Sequence, residues 1–189
     1  MPLVTNVLLI RHGQSKGNAE RRFGGHTATP LSARGRKQAE ATARTLKSES
    51  LTAIYSSDLA RAIETARPLA NLTGLPINGT SAFRERGVGV MEGLTFEEAA
   101  EQHPEQYAAL LRRDFEHVLT GGESYRQLLD RASARLDLAI EQNRGGTVAR
   151  KASRARCERD TTPHADVEVI VASSLAAHLP SARLRPHFG

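Results

Sequence analysis

Cysteine is all but missing from this sequence: Cys157 is the one thiol among 189 residues. No internal disulfide can form, and no second cysteine stands in metal-ligand spacing with a histidine, so the chain has neither a disulfide framework nor a thiolate metal site. A reducing compartment fits, and we expect a cytoplasmic protein. Aromatic residues make up only 4% of the chain, and no zinc-finger, RRM or KH pattern occurs, which argues against a nucleic-acid partner. Long apolar runs are missing as well. Leu3 to Ile10 is too short to span a bilayer, and it lacks the basic flank and small-residue cleavage site of a signal peptide. No membrane association is expected.

The net charge of +5 and the pI near 9.9 are weak pointers to a polyanionic partner, because much of the excess is local. After Gly146 there are seven Lys or Arg residues against four acids, so this stretch supplies three of the five surplus charges. With 39% hydrophobic residues, the length suits one domain with its own core.

The pattern alternates between strands and helices. Val4 to Ile10 is an apolar, β-branched run that stops at Arg11, as a buried central strand would. A polar, Gly-rich loop extends from Gly13 to Pro30. Ser32 offers an N-cap, and Ala39, Ala43 and Leu46 place a narrow apolar stripe on a helix over Ala33 to Lys47. Leu51 to Tyr55 reads as a second strand, followed by a helix over Leu59 to Leu72 that Pro68 should kink and Gly74 should close. Pro76 to Asn78 is expected to lead outward. Capping boxes at Thr95/Glu98 and Ser124/Gln127 start two later helices, the second carrying Leu129, Ala132, Leu136 and Ile140. The order predicts an α/β three-layer sandwich with a mainly parallel central sheet flanked by helices.

In such sheets ligands gather at the carboxyl ends of the strands. Arg11 and His12 follow the first strand, Ser56-Ser57-Asp58 follow the second, and Arg61 lies in the first turn of the next helix, where amides and the helix dipole favour an anion. Arginine presents a planar fork matched to phosphate oxygens, and neutral imidazole is a nucleophile that can be phosphorylated. Each residue also has a plain structural role open to it. Arg61 could pair with Glu64 or Asp58, Asn18 could cap a turn, Glu85 could pair with Arg84 or Arg86, and Glu92 is a second acid near Glu85.

The segments RHGQSKGN, TPLSARGRKQA, YSSDLARAIETA, FRERGVGVMEG and GGES, in that order, resemble the histidine phosphatase superfamily, which includes the cofactor-dependent phosphoglycerate mutases. The resemblance covers about Val4 to Val148. It implies that His12 is the nucleophile, that Arg11, Asn18 and Arg61 bind the phosphoryl oxygens, and that Glu85 is the proton donor. Gln14, Ser15, Gly24 and Gly25 would shape the loop over the site. No metal and no cofactor are called for. The activity implied is metal-independent hydrolysis of small phosphate esters through a phosphohistidine. Phosphoglycerate mutase activity and a catalytically inactive phosphate-ester-binding protein are the alternatives, with nucleic-acid binding by the basic tail ranked last. Specificity would reside in the loop Phe23 to Thr29 and the helical segment Phe96 to Glu123; neither encodes a readable substrate preference, and no pattern specifies an oligomeric state.

The departure lies at the other end. The family's last core strand ends in Ser/Thr-His-Gly, yet no His-Gly follows His12-Gly13 here. Counted from Thr147, the histidine's place falls close to Arg154. If VEVIVA (167–172) is instead a displaced strand, Ser173 or Ser174 takes that place, and His164 and His178 are the nearest histidines. We therefore divide the chain into a domain over 1–148 and a divergent basic tail over 149–189, and expect a reading-frame shift near Val148, with an ordinary divergent terminus as the alternative. Weak activity or none is expected.

Overall fold

The computed structural model describes residues 5–144, 147–150 and 170–171. Strand β1 (Asn6–Leu9) is followed by a four-residue helix, α1 (Lys16–Ala19), that was not legible in the Gly-rich loop. Helix α2 (Ala33–Leu46) starts at the Ser32 cap and buries Ala39, Ala43 and Leu46, the stripe expected of it. Strand β2 (Ala53–Ser57) lies two residues later than the apolar pattern suggested, because Ser56 and Ser57 pair with the next strand. Helix α3 (Ala60–Thr73) runs through Pro68 without interruption and ends at Gly74, whose φ of 73° supplies the left-handed cap.

The segment expected to lead outward is instead a third strand, β3 (Ile77–Thr80), parallel to β2. Helices α4 (Phe96–Gln102) and α6 (Tyr125–Gln142) both begin at the capping boxes read from the sequence, with α5 (Pro104–Arg112) between them. Strand β4 (Thr147–Arg150) enters the middle of the sheet, parallel to β1 on one side and to β2 on the other. The two-residue β5 (Ile170–Val171) is antiparallel to β1, β2 and β4. Ser173 and Ser174, which the displaced-strand register puts in the histidine's place, lie outside the described residues.

Two cores flank the sheet. On one face Ile10 and Ile54 pack with Ala43 and Leu46 of α2 and with Ala62, Ala66 and Leu69 of α3. On the other, Ala53 and Tyr55 meet Phe83 and Ala139 of α6. Alternation along β2 sends Ile54 to one layer and its neighbours to the other, which makes the expected three-layer sandwich. A third cluster of Val88, Met91, Ala99 and Leu119 ties the α4–α5 segment to the body. Among the described residues no helix is long and apolar enough to cross a membrane.

Candidate active site

Three parallel strands end on the same side of the sheet, and each delivers a candidate residue. Strand β1 leads into Arg11 and His12, β2 into Asp58 and the first turn of α3 with Arg61, and β3 through a 3-10 turn (Ser81–Phe83) into Glu85. Parallel register makes this convergence unavoidable.

His12 is 5% exposed, with Nδ1 at 2.5 Å from the Gly13 carbonyl. Nδ1–H donating there leaves the lone pair on Nε2. The loop behind it is fixed from several sides. Gly13 N–H donates to Thr65 Oγ1 on α3, Gln14 N–H to Gln38 Oε1 on α2, and Ser32 N–H to the Gln14 carbonyl. A Cβ on Gly13 would sit 2.3 Å from the Gly35 carbonyl oxygen, and one on Gly35 would sit 2.1 Å from that of Gln14. Only glycine at both positions lets the loop press against the start of α2. The histidine is thereby held by backbone contact rather than by its own ring alone.

Arg61 is 1% exposed, and its charge is compensated in place. Nη2 donates to Glu85 Oε2 at 2.8 Å and to the Gly25 carbonyl at 2.8 Å, and Nη1 donates to the Thr27 carbonyl. A buried guanidinium without such partners would cost several kcal/mol. The pairing is not one of those the sequence offered as a plain structural role for either residue. Asp58 instead takes a bidentate fork from Arg84, whose hydrogen bonds hold its carboxyl below the ordinary 3.8, and Glu64 accepts the Leu31 N–H. Arg86 donates to the carbonyls of Glu123 and His117. Glu85 thus pairs with Arg61.

Asn18 does cap: Ser15 N–H donates to its Oδ1, and Asn18 N–H donates to Ser15 Oγ, a reciprocal box on α1. Capping through the carbonyl end turns the NH2 end the other way. Arg11 is exposed beside His12. Glu92, the rival acid, accepts the N–H groups of His26 and Val88 through Oε1 and so braces the 24–27 loop against the segment after Glu85. Gly24 is the floor of the site. A Cβ there would lie 3.4 Å from Glu85 Oε2 and 3.6 Å from Arg61 Nη2.

Three contributors were not read from the sequence. Glu123, in the GGES segment, accepts the Gly87 N–H and the Nε and Nη2 groups along one edge of the Arg131 guanidinium. Arg131, on α6, also donates to the carbonyls of Ala82, Arg84 and Glu85. His26 places Nε2 at 2.8 Å from the same Glu85 carbonyl. A cavity of about 310 Å³ opens between His26, Glu92 and Glu123. Capping-box spacing accounts for Ser124 and Gln127 in this region, but contacts to backbone carbonyls leave no spacing to find. Among the described residues no group of histidines, cysteines and carboxylates is arranged to hold a metal ion.

Burial pushes the Glu123 carboxyl up, but the Arg131 and Gly87 hydrogen bonds with the nearby positive charge outweigh it and leave it below the ordinary 4.5. A carboxyl depressed on folding contributes stability that is present above its unfolded value and lost as pH falls through its folded value. Urea unfolding is therefore expected to need less denaturant as pH drops below 4.5. Glu123→Gln should flatten that part of the profile; a profile parallel to the parent's would show that the pair carries none of the acid sensitivity.

Comparison with known proteins identifies the family. The sequence model of the histidine phosphatase superfamily (branch 1) matches residues 7–152. Phosphoglycerate mutase-like protein 4 of Arabidopsis thaliana is 38% identical over 146 residues, which cover 75% of this chain and 63% of that protein. The metal-independent phosphoserine phosphatase of Arabidopsis thaliana is 39% identical over 149 residues, covering 77% and 62%. The chain thus spans under two thirds of the length of these relatives. Among solved structures, mycobacterial glucosyl-3-phosphoglycerate phosphatase superposes with a TM-score of 0.66 at 33% identity, over 73% of this chain and 65% of that one. Bacillus stearothermophilus YhfR superposes with a TM-score of 0.70 at 30% identity, over 75% and 70%. The chain belongs to the histidine phosphatase superfamily, branch 1.

Proposed function

We propose that this chain is a metal-independent phosphatase that hydrolyses small phosphate esters through a phosphohistidine at His12, with no metal or cofactor. The observation that carries the reading is the delivery of His12, Arg61 and Glu85 from three parallel strand ends, with Arg61 and Glu85 in contact at 2.8 Å. In the first step His12 Nε2 forms a bond to phosphorus, the ester P–O bond breaks, and Glu85 gives its proton to the leaving oxygen. A phosphoryl dianion arriving beside Glu85 favours the protonated carboxyl, because two negative charges then share one site. In the second step water attacks phosphorus, Glu85 takes its proton, and the P–N bond breaks. Phosphate leaves and the free histidine returns. Arg11, Arg61 and the Asn18 NH2 group stabilise the charge on the transferring oxygens.

The relatives named as phosphatases support hydrolysis, and one named as mutase-like keeps the transfer reading in view. The two differ in product. Incubated with 3-phosphoglycerate or phosphoserine, the full chain is expected to release inorganic phosphate; an isomerised phosphoglycerate without free phosphate would make it a mutase. One observation favours the inactive reading: the first histidine after β4 is His164, so the family's second donor is missing at its usual distance. Loss of one preorganised donor costs about 10²- to 10³-fold in rate, which leaves slow turnover within reach of measurement.

The domain division at Val148 and the cytoplasmic location remain part of this proposal. Arg154, His164, His178, Ser173 and Ser174 lie outside the described residues. The family match ends at residue 152, within a few residues of the change in composition, which supports a frame shift there. Reading the coding DNA across Gly145 to Arg159 in its other frames is expected to give a strand ending in Ser/Thr-His-Gly; none in either frame would overturn the shift.

A further inference from the structure

We propose that Arg131, held by Glu123, is a positioning residue for the acid Glu85; the inference rests on the reading of Glu85 as proton donor. Glu85 follows a short 3-10 turn, and such a turn leaves backbone carbonyls without partners in the chain. Arg131 supplies partners to those carbonyls. Nη1 reaches Ala82 at 3.0 Å and Arg84 at 2.9 Å, and Nη2 reaches Glu85 at 2.9 Å. The remaining edge, Nε, donates to Glu123 Oε2 at 2.9 Å, while Nη2 also meets Oε1.

One rigid fork from α6 therefore sets the path of the whole approach to Glu85. Glu123 in turn is fixed by the Gly87 N–H, two residues past the acid, so the clamp closes on both sides of it. Backbone contact between the two loops makes this reach possible: a Cβ on Gly122 would stand 2.4 Å from the Gly87 carbonyl oxygen. Lysine at 131 would keep the charge but lose the fork, since one ammonium cannot satisfy three carbonyls and two carboxylate oxygens along a planar edge.

In kcat/KM, which reports the steps up to phosphoryl transfer to His12, a displaced acid harms only the ester whose leaving group needs a proton, and this separates positioning from general structural support. The full chain and its Arg131→Met and Arg131→Lys variants would be assayed for kcat/KM on two esters. One is 2,4-dinitrophenyl phosphate, whose leaving phenolate needs no proton, and the other is glycerol 1-phosphate, whose alkoxide does. Arg131→Met is expected to lose about 10²-fold on the glycerol ester and less than about threefold on the dinitrophenyl ester. Inhibition by inorganic phosphate should be unchanged. Arg131→Lys should show the same selective pattern at smaller size, and it serves if the methionine variant does not fold. An equal loss on both esters, or no loss on either, would overturn the proposal. If the parent chain turns over neither ester, the phosphatase reading falls, and hydrogen exchange decides the positioning claim alone. Faster exchange confined to the amides of residues 81–87 in the variants would support it, and unchanged exchange there would overturn it.

Discussion

Replacing His12 with alanine is expected to abolish phosphate release, by about 10⁴-fold or more, because without the ring there is no nucleophile to split the displacement into two steps. The assay is release of inorganic phosphate from an aryl phosphate, with thermal unfolding as the control for folding. The fold should tolerate the change. The loop is held through the backbone of Gly13 and Gln14 and through the Gly13–Gly35 contact, none of which needs the imidazole. Turnover retained by a folded His12→Ala protein would remove His12 from the mechanism. A parent chain that binds phosphate esters without turning them over would favour the inactive binder.

The largest effect on stability is expected at Arg61. Arg61→Met leaves Glu85 facing a site from which its partner charge has gone, and strands the carbonyls of Gly25 and Thr27. Removing one member of a buried pair costs about 3–5 kcal/mol, while removing both is far milder. Urea unfolding should therefore show a deep loss for Arg61→Met and a partial recovery for Arg61→Met with Glu85→Gln. Under the proposed mechanism activity should not recover with stability, since the double variant lacks both a hydrogen-bond donor to the phosphoryl oxygens and the acid. A double-mutant cycle with no coupling beyond about 0.5 kcal/mol would mean that the contact contributes nothing to the fold.

The candidate residues at the strand ends could be picked out from sequence because phosphate chemistry makes demands on residue type. A phosphate needs forks and a nucleophile, and those residues must come where parallel strands stop, so Arg11, His12 and Arg61 stood out in their segments. Helices with capping boxes were equally plain, because Thr95 with Glu98 and Ser124 with Gln127 are local, three-residue signals. Strand β3 was not. Its four residues, Ile-Asn-Gly-Thr, carry one apolar side chain, and only partnership with Ser56 and Ser57 makes them a strand. The choice of partner for Arg61 was beyond the sequence for a related reason. Glu64, Asp58 and Glu85 all offered a carboxylate, and the outcome depended on Arg84 having taken Asp58 and on Leu31 N–H having taken Glu64. Arg131 was hidden most deeply, since most of its partners are main-chain oxygens that any residue type would present.

Strand β4 has a consequence for how the protein is made. It is the last strand of the family-matched region, yet it sits between β1 and β2. While the ribosome is still delivering α6, β1 and β2 therefore have no neighbour on their inner edges, and the apolar residues of both wait beside an open slot. Open edges invite pairing with other chains, and contacts between the first and last strands close slowly. A few residues near position 148 close that slot, so both inner edges stay open from the synthesis of β2 until those residues emerge.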